Sequence, residues 1–353
     1  MNRWTTLTLA AALLLAGCQS PGKADHAAPA SDDFKPLTAQ DDADAIDFNK
    51  LIRPQDHILF LGDELTQQMY FTRMVAAAVL PMRAKDNLRF YNGGYEGATA
   101  ASGLQRFEKA VELSSPTVVF VCLGANDAPR IVSGELDRRT YRDNLTALVQ
   151  QLKSTAGVRE IVLLSAPALQ QAIGVADGAD TPLGLEPGSE NAVLYDLSLD
   201  AETVARQTKV NFVDIFEHTL AVYRAQDAVG GEPLTVNGRM PTDVGHVVIA
   251  SIVLRGIGVD EGQLEKAAWS PLTPRKMGRV RQALAVRMSM PSMQDAEKSR
   301  AVFMALQQFD EAFFRAWRIA GRSPSTPSVE AAISASEHAW DGVRTSVRAY
   351  SRP

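Results

Sequence analysis

The stretch His57-Ile58-Leu59-Phe60-Leu61-Gly62-Asp63-Glu64-Leu65-Thr66 decides how the rest of the chain is read. An apolar run from Ile58 to Leu61 stops at Gly62-Asp63, and a helical pattern follows through Met69, Met74 and Val75. A short apolar run bounded by turn residues marks a strand buried on both faces. Strand, tight turn and helix place residue 64 at the strand's C-terminal end. Open α/β sheets collect their ligands at such ends.

Working outward, the same grammar repeats. Residues 88–91 read as a second strand that runs into Asn92-Gly93-Gly94-Tyr95-Glu96-Gly97-Ala98-Thr99. The glycines there imply positive φ or close backbone approach, and Thr99 suits the cap of a helix through Val111. Backbone N–H groups in such a turn can hold an anionic oxygen. A third strand at 117–123 ends in Gly124-Ala125-Asn126-Asp127, a fourth lies at 159–164, and a fifth at 210–214. Helices are expected at 141–154, 191–207, 215–225 and 243–254, with a long Gly/Pro-interrupted loop at 173–188. Gly230-Gly231, Asn237-Gly238 and Pro241 mark a further long turn. Regular alternation of strand and helix predicts a parallel five-stranded sheet in a three-layer α/β/α sandwich over residues 47–262.

Beyond residue 262 the alternation ends. Residues 275–288, 294–317 and 329–349 read as helices with no strand between them, separated at Pro291 and at Ser323-Pro324-Ser325-Thr326-Pro327. In this helical C-terminal extension (263–353), Phe303, Phe309, Phe313, Phe314 and Trp317 recur at helical spacing and are expected to pack onto the sheet domain.

The first eighteen residues are a targeting segment. Arg3 supplies a positive start and residues 7–15 an apolar run too short for a comfortable span. Leu15-Ala16-Gly17-Cys18 then resembles a bacterial lipoprotein signal, which implies cleavage and lipidation at Cys18. Gln19 after the cysteine lacks the aspartate that retains such proteins in the inner membrane, so the expected location is the outer membrane, facing the periplasm. Residues 19–46 are rich in Ala, Asp, Ser and Pro and read as a flexible tether.

A formal charge of -5 gives no basis for nucleic-acid binding, which wants a basic face. Two cysteines are too few for a disulfide framework, and Cys122 within an apolar strand reads as a small buried hydrophobe. No cluster shows convincing metal-ligand spacing, and no cofactor is expected. His57 and His218 have no motif context.

Four blocks in order carry a resemblance: Gly62-Asp63-Glu64-Leu65, Asn92 through Thr99, Gly124-Ala125-Asn126-Asp127, and Asn237-Gly238-Arg239-Met240-Pro241. Together they resemble the SGNH, or GDSL, hydrolases over about residues 51–258. In detail they look most like the lipase-like SGNH domains of planctomycete-type bacteria. There a Phe-Phe-x-x-Trp-Arg-like stretch often follows, and Phe313-Phe314-Arg315-Ala316-Trp317-Arg318 is similar.

The resemblance implies a serine nucleophile in the first block and an Asp-x-x-His pair in the last. It also implies an oxyanion hole from the nucleophile's N–H, the second-block glycine and the third-block asparagine. Carried over, the hole survives as Gly97 and Asn126. The nucleophile position holds Glu64, the Asp position Asn237 and the His position Met240. A different register, Asp243 with His246, is disfavoured because Gly245 fits the glycine that follows the histidine block.

Serine catalysis needs a hydroxyl beside a base, and a methionine thioether cannot serve as one. A carboxylate at residue 64 would also repel the charge that the hole should stabilise. Two readings follow. One is a degenerate hydrolase kept as a binding module for envelope glycan or a partner protein, with Asn92, Asn126, Asp127 and Asn237 available to polar ligands. The other is an ester hydrolase for acylated carbohydrate or lipid with a non-standard site, using Glu64 with Asp63 or Asp127, or His246 from the rim. Asp63 and Asp127 are better explained as turn and cap residues. Glu64 held by backbone N–H groups or by an arginine such as Arg239 would favour the degenerate site.

Overall fold

The computed structural model describes residues 45–172, 181–260, 296–321 and 327–351. The lipoprotein signal with Cys18, most of the tether, half of the 173–188 loop and the helix expected at 275–288 lie outside them.

Five strands form one parallel sheet: β1 (His57–Gly62), β2 (Arg89–Gly94), β3 (Val118–Cys122), β4 (Glu160–Leu164) and β5 (Asn211–Val213), in the order β2-β1-β3-β4-β5. The expected sheet is therefore present, and every residue of β3 is buried, as a strand covered on both faces requires. The chain leaves β1 in one direction to reach β2 and crosses back over β1 to reach β3. Right-handed crossovers then put the intervening helices on opposite faces and open a crevice where β1 and β3 diverge.

The helices, in chain order, are α1 (Phe48–Leu51), α2 (Glu64–Gln67), α3 (Tyr70–Met82), α4 (Ala100–Arg106), α5 (Glu108–Ser114), α6 (Ala128–Val132), α7 (Arg138–Ser154), α8 (Glu190–Thr208), α9 (Phe216–Ala228), α10 (Asp243–Gly256), α11 (Ala296–Ala320) and α12 (Pro327–Tyr350). Between α9 and α10 a hairpin pairs β6 (Thr235–Val236) with β7 (Met240–Pro241). Helices α3 and α10 pack together on one side, while α4, α7 and α8 pack in succession as the other layer.

Three local readings change. The helix expected to continue through Met69 is split there, because Met69 takes a left-handed φ of 64° between α2 and α3. The helix capped by Thr99 is broken at Phe107 into α4 and α5, although the Thr99–Ser102 capping box is in place. The second strand does not end at residue 91 but includes Asn92-Gly93-Gly94. A side chain on Gly94 would put its Cβ 2.2 Å from the Gln67 nitrogen, so this glycine marks close backbone approach within a strand.

The C-terminal helices pack on the sheet domain. In α11, Phe303, Phe309, Phe313 and Trp317 are buried as expected, while Phe314 is only half-buried. Tyr91 on edge strand β2 meets the rings of Phe309 and Phe313 at 5.6 and 4.8 Å, and Phe309 meets Trp340 of α12 at 4.7 Å. A helix pair over β2 closes an edge that would otherwise be open to pairing with other chains.

Candidate functional site

Asp63 follows β1 and caps α2, its side chain accepting from the Leu65 N–H at 3.0 Å. Glu64 is therefore the first residue of α2, at the fork between β1 and β3. Its Oε2 accepts from Asn126 Nδ2 at 2.7 Å and from the Gly97 N–H at 3.2 Å. Asn126 is oriented by a second bond, from the same Nδ2 to the Ala98 carbonyl at 3.1 Å. Gly97 has a φ of +71° with open space around its Cα, so the glycine is there for its backbone conformation. The loop carrying it is fixed to α2 and β1: the Glu96 N–H donates to Gln67 Oε1 at 2.7 Å and the Tyr95 N–H to the Gly62 carbonyl at 2.8 Å.

The two oxyanion donors implied by the resemblance thus converge on one oxygen, and that oxygen belongs to the chain itself. Bonds of this kind are stronger than neutral ones because the acceptor carries charge. Arg239, the alternative partner for Glu64, instead makes a two-pronged pair with Glu190 at the start of α8, with Nη1 2.8 Å from Oε2 and Nη2 2.5 Å from Oε1.

The other polar residues expected in the crevice serve the scaffold. Asn92 is buried, donates to the Thr66 carbonyl and Thr72 Oγ1 at 2.7 and 2.9 Å, and accepts from the Gly94 N–H at 3.0 Å. These bonds tie β2 to α2 and α3. Asp127 is buried and accepts from the Ala100 N–H at 3.1 Å, holding the start of α4. Burial pushes its carboxyl up to about 6. Asp63 is held well above the ordinary carboxylate range, first by burial and then by the neighbouring charge of Glu64.

Asn237 occupies the hairpin turn after β6. Its φ of 53° and that of Gly238, 70°, are the left-handed pair such a turn demands. The Arg239 N–H closes the turn onto the Val236 carbonyl at 3.2 Å. Met240 begins β7 and pairs with Val236. His246 is buried inside α10, where its Nε2 lies 2.8 Å from Gln68 Oε1 and its ring stacks on Tyr70 at 5.3 Å. Burial depresses its pKa to about 3, so it is neutral and enclosed rather than acting from the rim.

Gln67 is a residue that sequence reasoning passed over. Its Oε1 accepts both the Glu96 N–H and Arg318 Nη2, the latter at 2.9 Å, so it joins the crevice loop to α11. A lone glutamine on a helix gives no sequence signal of such a role. Among the described residues no group of three or more His, Cys, Asp or Glu is placed to hold a metal, and no helix is long and apolar enough to cross a membrane.

A parallel sheet in this order, covered by helices on both faces, defines a doubly wound α/β/α protein with its crevice at the fork of the first and third strands. The chain belongs to the GDSL-like lipase/acylhydrolase family, whose model matches residues 60–236. Among solved structures it is similar in fold to a gut microbial diltiazem-metabolizing enzyme, with 18% identity and a TM-score of 0.50 over 59% of this chain and 48% of that one. It is also similar to an acetylxylan esterase from Geobacillus stearothermophilus, with 20% identity and a TM-score of 0.47 over 60% of this chain and 97% of that one. A catalytic mutant of that esterase aligns with a TM-score of 0.48 and 20% identity, over the same 60% and 97%. No curated protein matches the sequence.

Proposed function

We propose that this chain is an exported, lipid-anchored member of the family whose crevice binds a ligand at the cell envelope without cleaving it. The observation that carries the reading is the Glu64 carboxylate held by Gly97 and Asn126. A substrate carbonyl would have to displace that carboxylate to reach the donors, and a negative charge developing beside it would be repelled. Residue 64 offers no hydroxyl, and Met240 offers no base to a neighbouring nucleophile. The Leu15-Ala16-Gly17-Cys18 sequence supports anchoring through Cys18 and a location on the outer membrane facing the periplasm. Envelope carbohydrate, plain or acylated, is the ligand class that suits the polar rim around Asn126, Arg239 and Glu190.

The test is hydrolysis of short-chain aryl esters and acetylated sugars by the wild type beside Glu64→Ala, Glu64→Ser and Glu64→Ser/Met240→His. A silent wild type and a silent Glu64→Ser are expected. Wild-type turnover that disappears in Glu64→Ala would overturn the binding reading and make Glu64 catalytic.

A further inference from the structure

One turn along α2 from Glu64, at Gln67, lies an open groove of about 660 Å³. It is lined by Gln67 and Met69 from the α2–α3 junction and by Glu311, Phe314, Arg315 and Arg318 from α11. Arg318 lies across a group of rings, its guanidinium carbon 3.8 Å from the Tyr95 centroid and 4.7 Å from that of Phe314. Arg106 of α4 lies on the same tyrosine at 4.3 Å.

The guanidinium groups are in excess here. Arg106, Arg315 and Arg318 have no carboxylate partner among the described residues, whereas most arginines elsewhere in the domain are paired with acids. Arg318 uses Nη2 on Gln67, but its Nε is buried without a hydrogen-bond partner. Such a donor is costly to leave unmet. Arg315 is exposed and Phe314 half-buried at its side. In a chain of net charge -5, a group of unpaired arginines stands out from the surrounding field.

From this geometry we infer that the groove binds an acidic saccharide, a chain of sugars bearing carboxylates. Guanidinium forks match planar carboxylates with two parallel hydrogen bonds. The half-buried ring of Phe314 lines the groove and gives a sugar ring an apolar surface, and an open groove admits a chain that continues past its ends. Glu311 accepts from Gln307 Nε2 at 2.9 Å and stands at the groove's border, where it disfavours a densely charged phosphate more than a singly charged uronate. Gln67 links this groove to the loop of Gly97 through the Glu96 N–H. The inference deepens the envelope-carbohydrate reading but uses different residues.

The experiment is calorimetric titration of the full chain in mild detergent with tetragalacturonate, at low and at 0.5 M salt. Parallel arms use xylotetraose, inorganic phosphate and vesicles containing phosphatidylglycerol. Binding of tetragalacturonate at low salt is expected, weakened at least five-fold by 0.5 M salt and by Arg315→Glu, and partly retained in Arg315→Lys. Arg315 is exposed, so its replacement does not threaten the fold. No binding at millimolar tetragalacturonate would overturn the inference, as would binding indifferent to Arg315→Glu. Equal response to phosphate would mark a simple anion site, and response to vesicles alone a membrane contact; either sinks the saccharide assignment. The two proposals separate by readout, since the ester-hydrolysis assays report on Glu64 in the crevice, whereas the salt and Arg315 dependence of tetragalacturonate binding reports on the groove alone.

Discussion

Arg73 of α3 and Asp310 of α11, 237 residues apart in sequence, form an ion pair of 2.9 Å, each side chain less than a tenth exposed. The Arg73 guanidinium also lies 5.1 Å from the Phe303 ring. A buried pair of this kind fixes where α11 sits more than it adds net stability, because both ions have lost water.

Removing one partner leaves the other charge buried and uncompensated. Asp310→Ala is expected to destabilise the protein by about 3–5 kcal/mol in urea unfolding. The double variant Arg73→Met/Asp310→Leu should recover most of that loss. A double variant as unstable as the single would show that the pair itself is strongly stabilising.

The C-terminal helices belong to the same core as the sheet. Trp340 is 1% exposed and meets Phe309, which in turn meets Tyr91 of β2. Trp340→Ala should therefore cost about 3–5 kcal/mol and lower a single unfolding transition. Two separate transitions, with the sheet domain melting as in the wild type, would contradict this.

At the crevice, Asn126→Ala removes the shorter of the two bonds to Glu64. Glu64 is partly exposed and water can replace the donor, so the expected stability loss is small, about 1 kcal/mol. The same change in a Glu64→Ala background should cost less. The difference, read from a double-mutant cycle, measures the coupling directly; a coupling of zero would mean that the carboxylate is not held as described.

His246 gives a pH signature with a defined sign. Its folded pKa of about 3 lies below the ordinary 6.5, so the unfolded chain takes up the proton first as pH falls. The neutral ring's contribution is complete above pH 6.5 and is lost between 6.5 and 3, at up to about 1.4 kcal/mol per pH unit. Asp127, raised to about 6, acts in the opposite direction over part of this window. The comparison is therefore between wild type and His246→Phe. The unfolding free energy of the variant should fall less between pH 7 and pH 5, and equal slopes would refute the assignment.

Much of the architecture could be read locally. Ile58 to Leu61 and Val118 to Cys122 are apolar runs whose own composition makes them buried strands, and Thr99 and Asp63 announce the helix starts they cap. Their alternation with helices dictates the parallel sheet, because each element's apolar face must be covered by the next. The four blocks, in order at the strand ends, pointed to the crevice in which Glu64 meets Gly97 and Asn126.

The partners of those residues were decided only by the fold. Glu64 meets Gly97 and Asn126 across 33 and 62 positions of sequence, and nothing local separates that pairing from one with Arg239. Asn92 and Asp127 look available in sequence, yet the approach of α2, α3 and α4 encloses them and uses their hydrogen bonds. The groove beside Gln67 requires α11 to dock beside the Tyr95 loop, a contact between segments with no shared periodicity. A sequence determines which residues must be buried and where each element begins, since those depend on near neighbours. Which polar groups then face one another depends on how finished elements pack, and that arises only when the chain closes on itself.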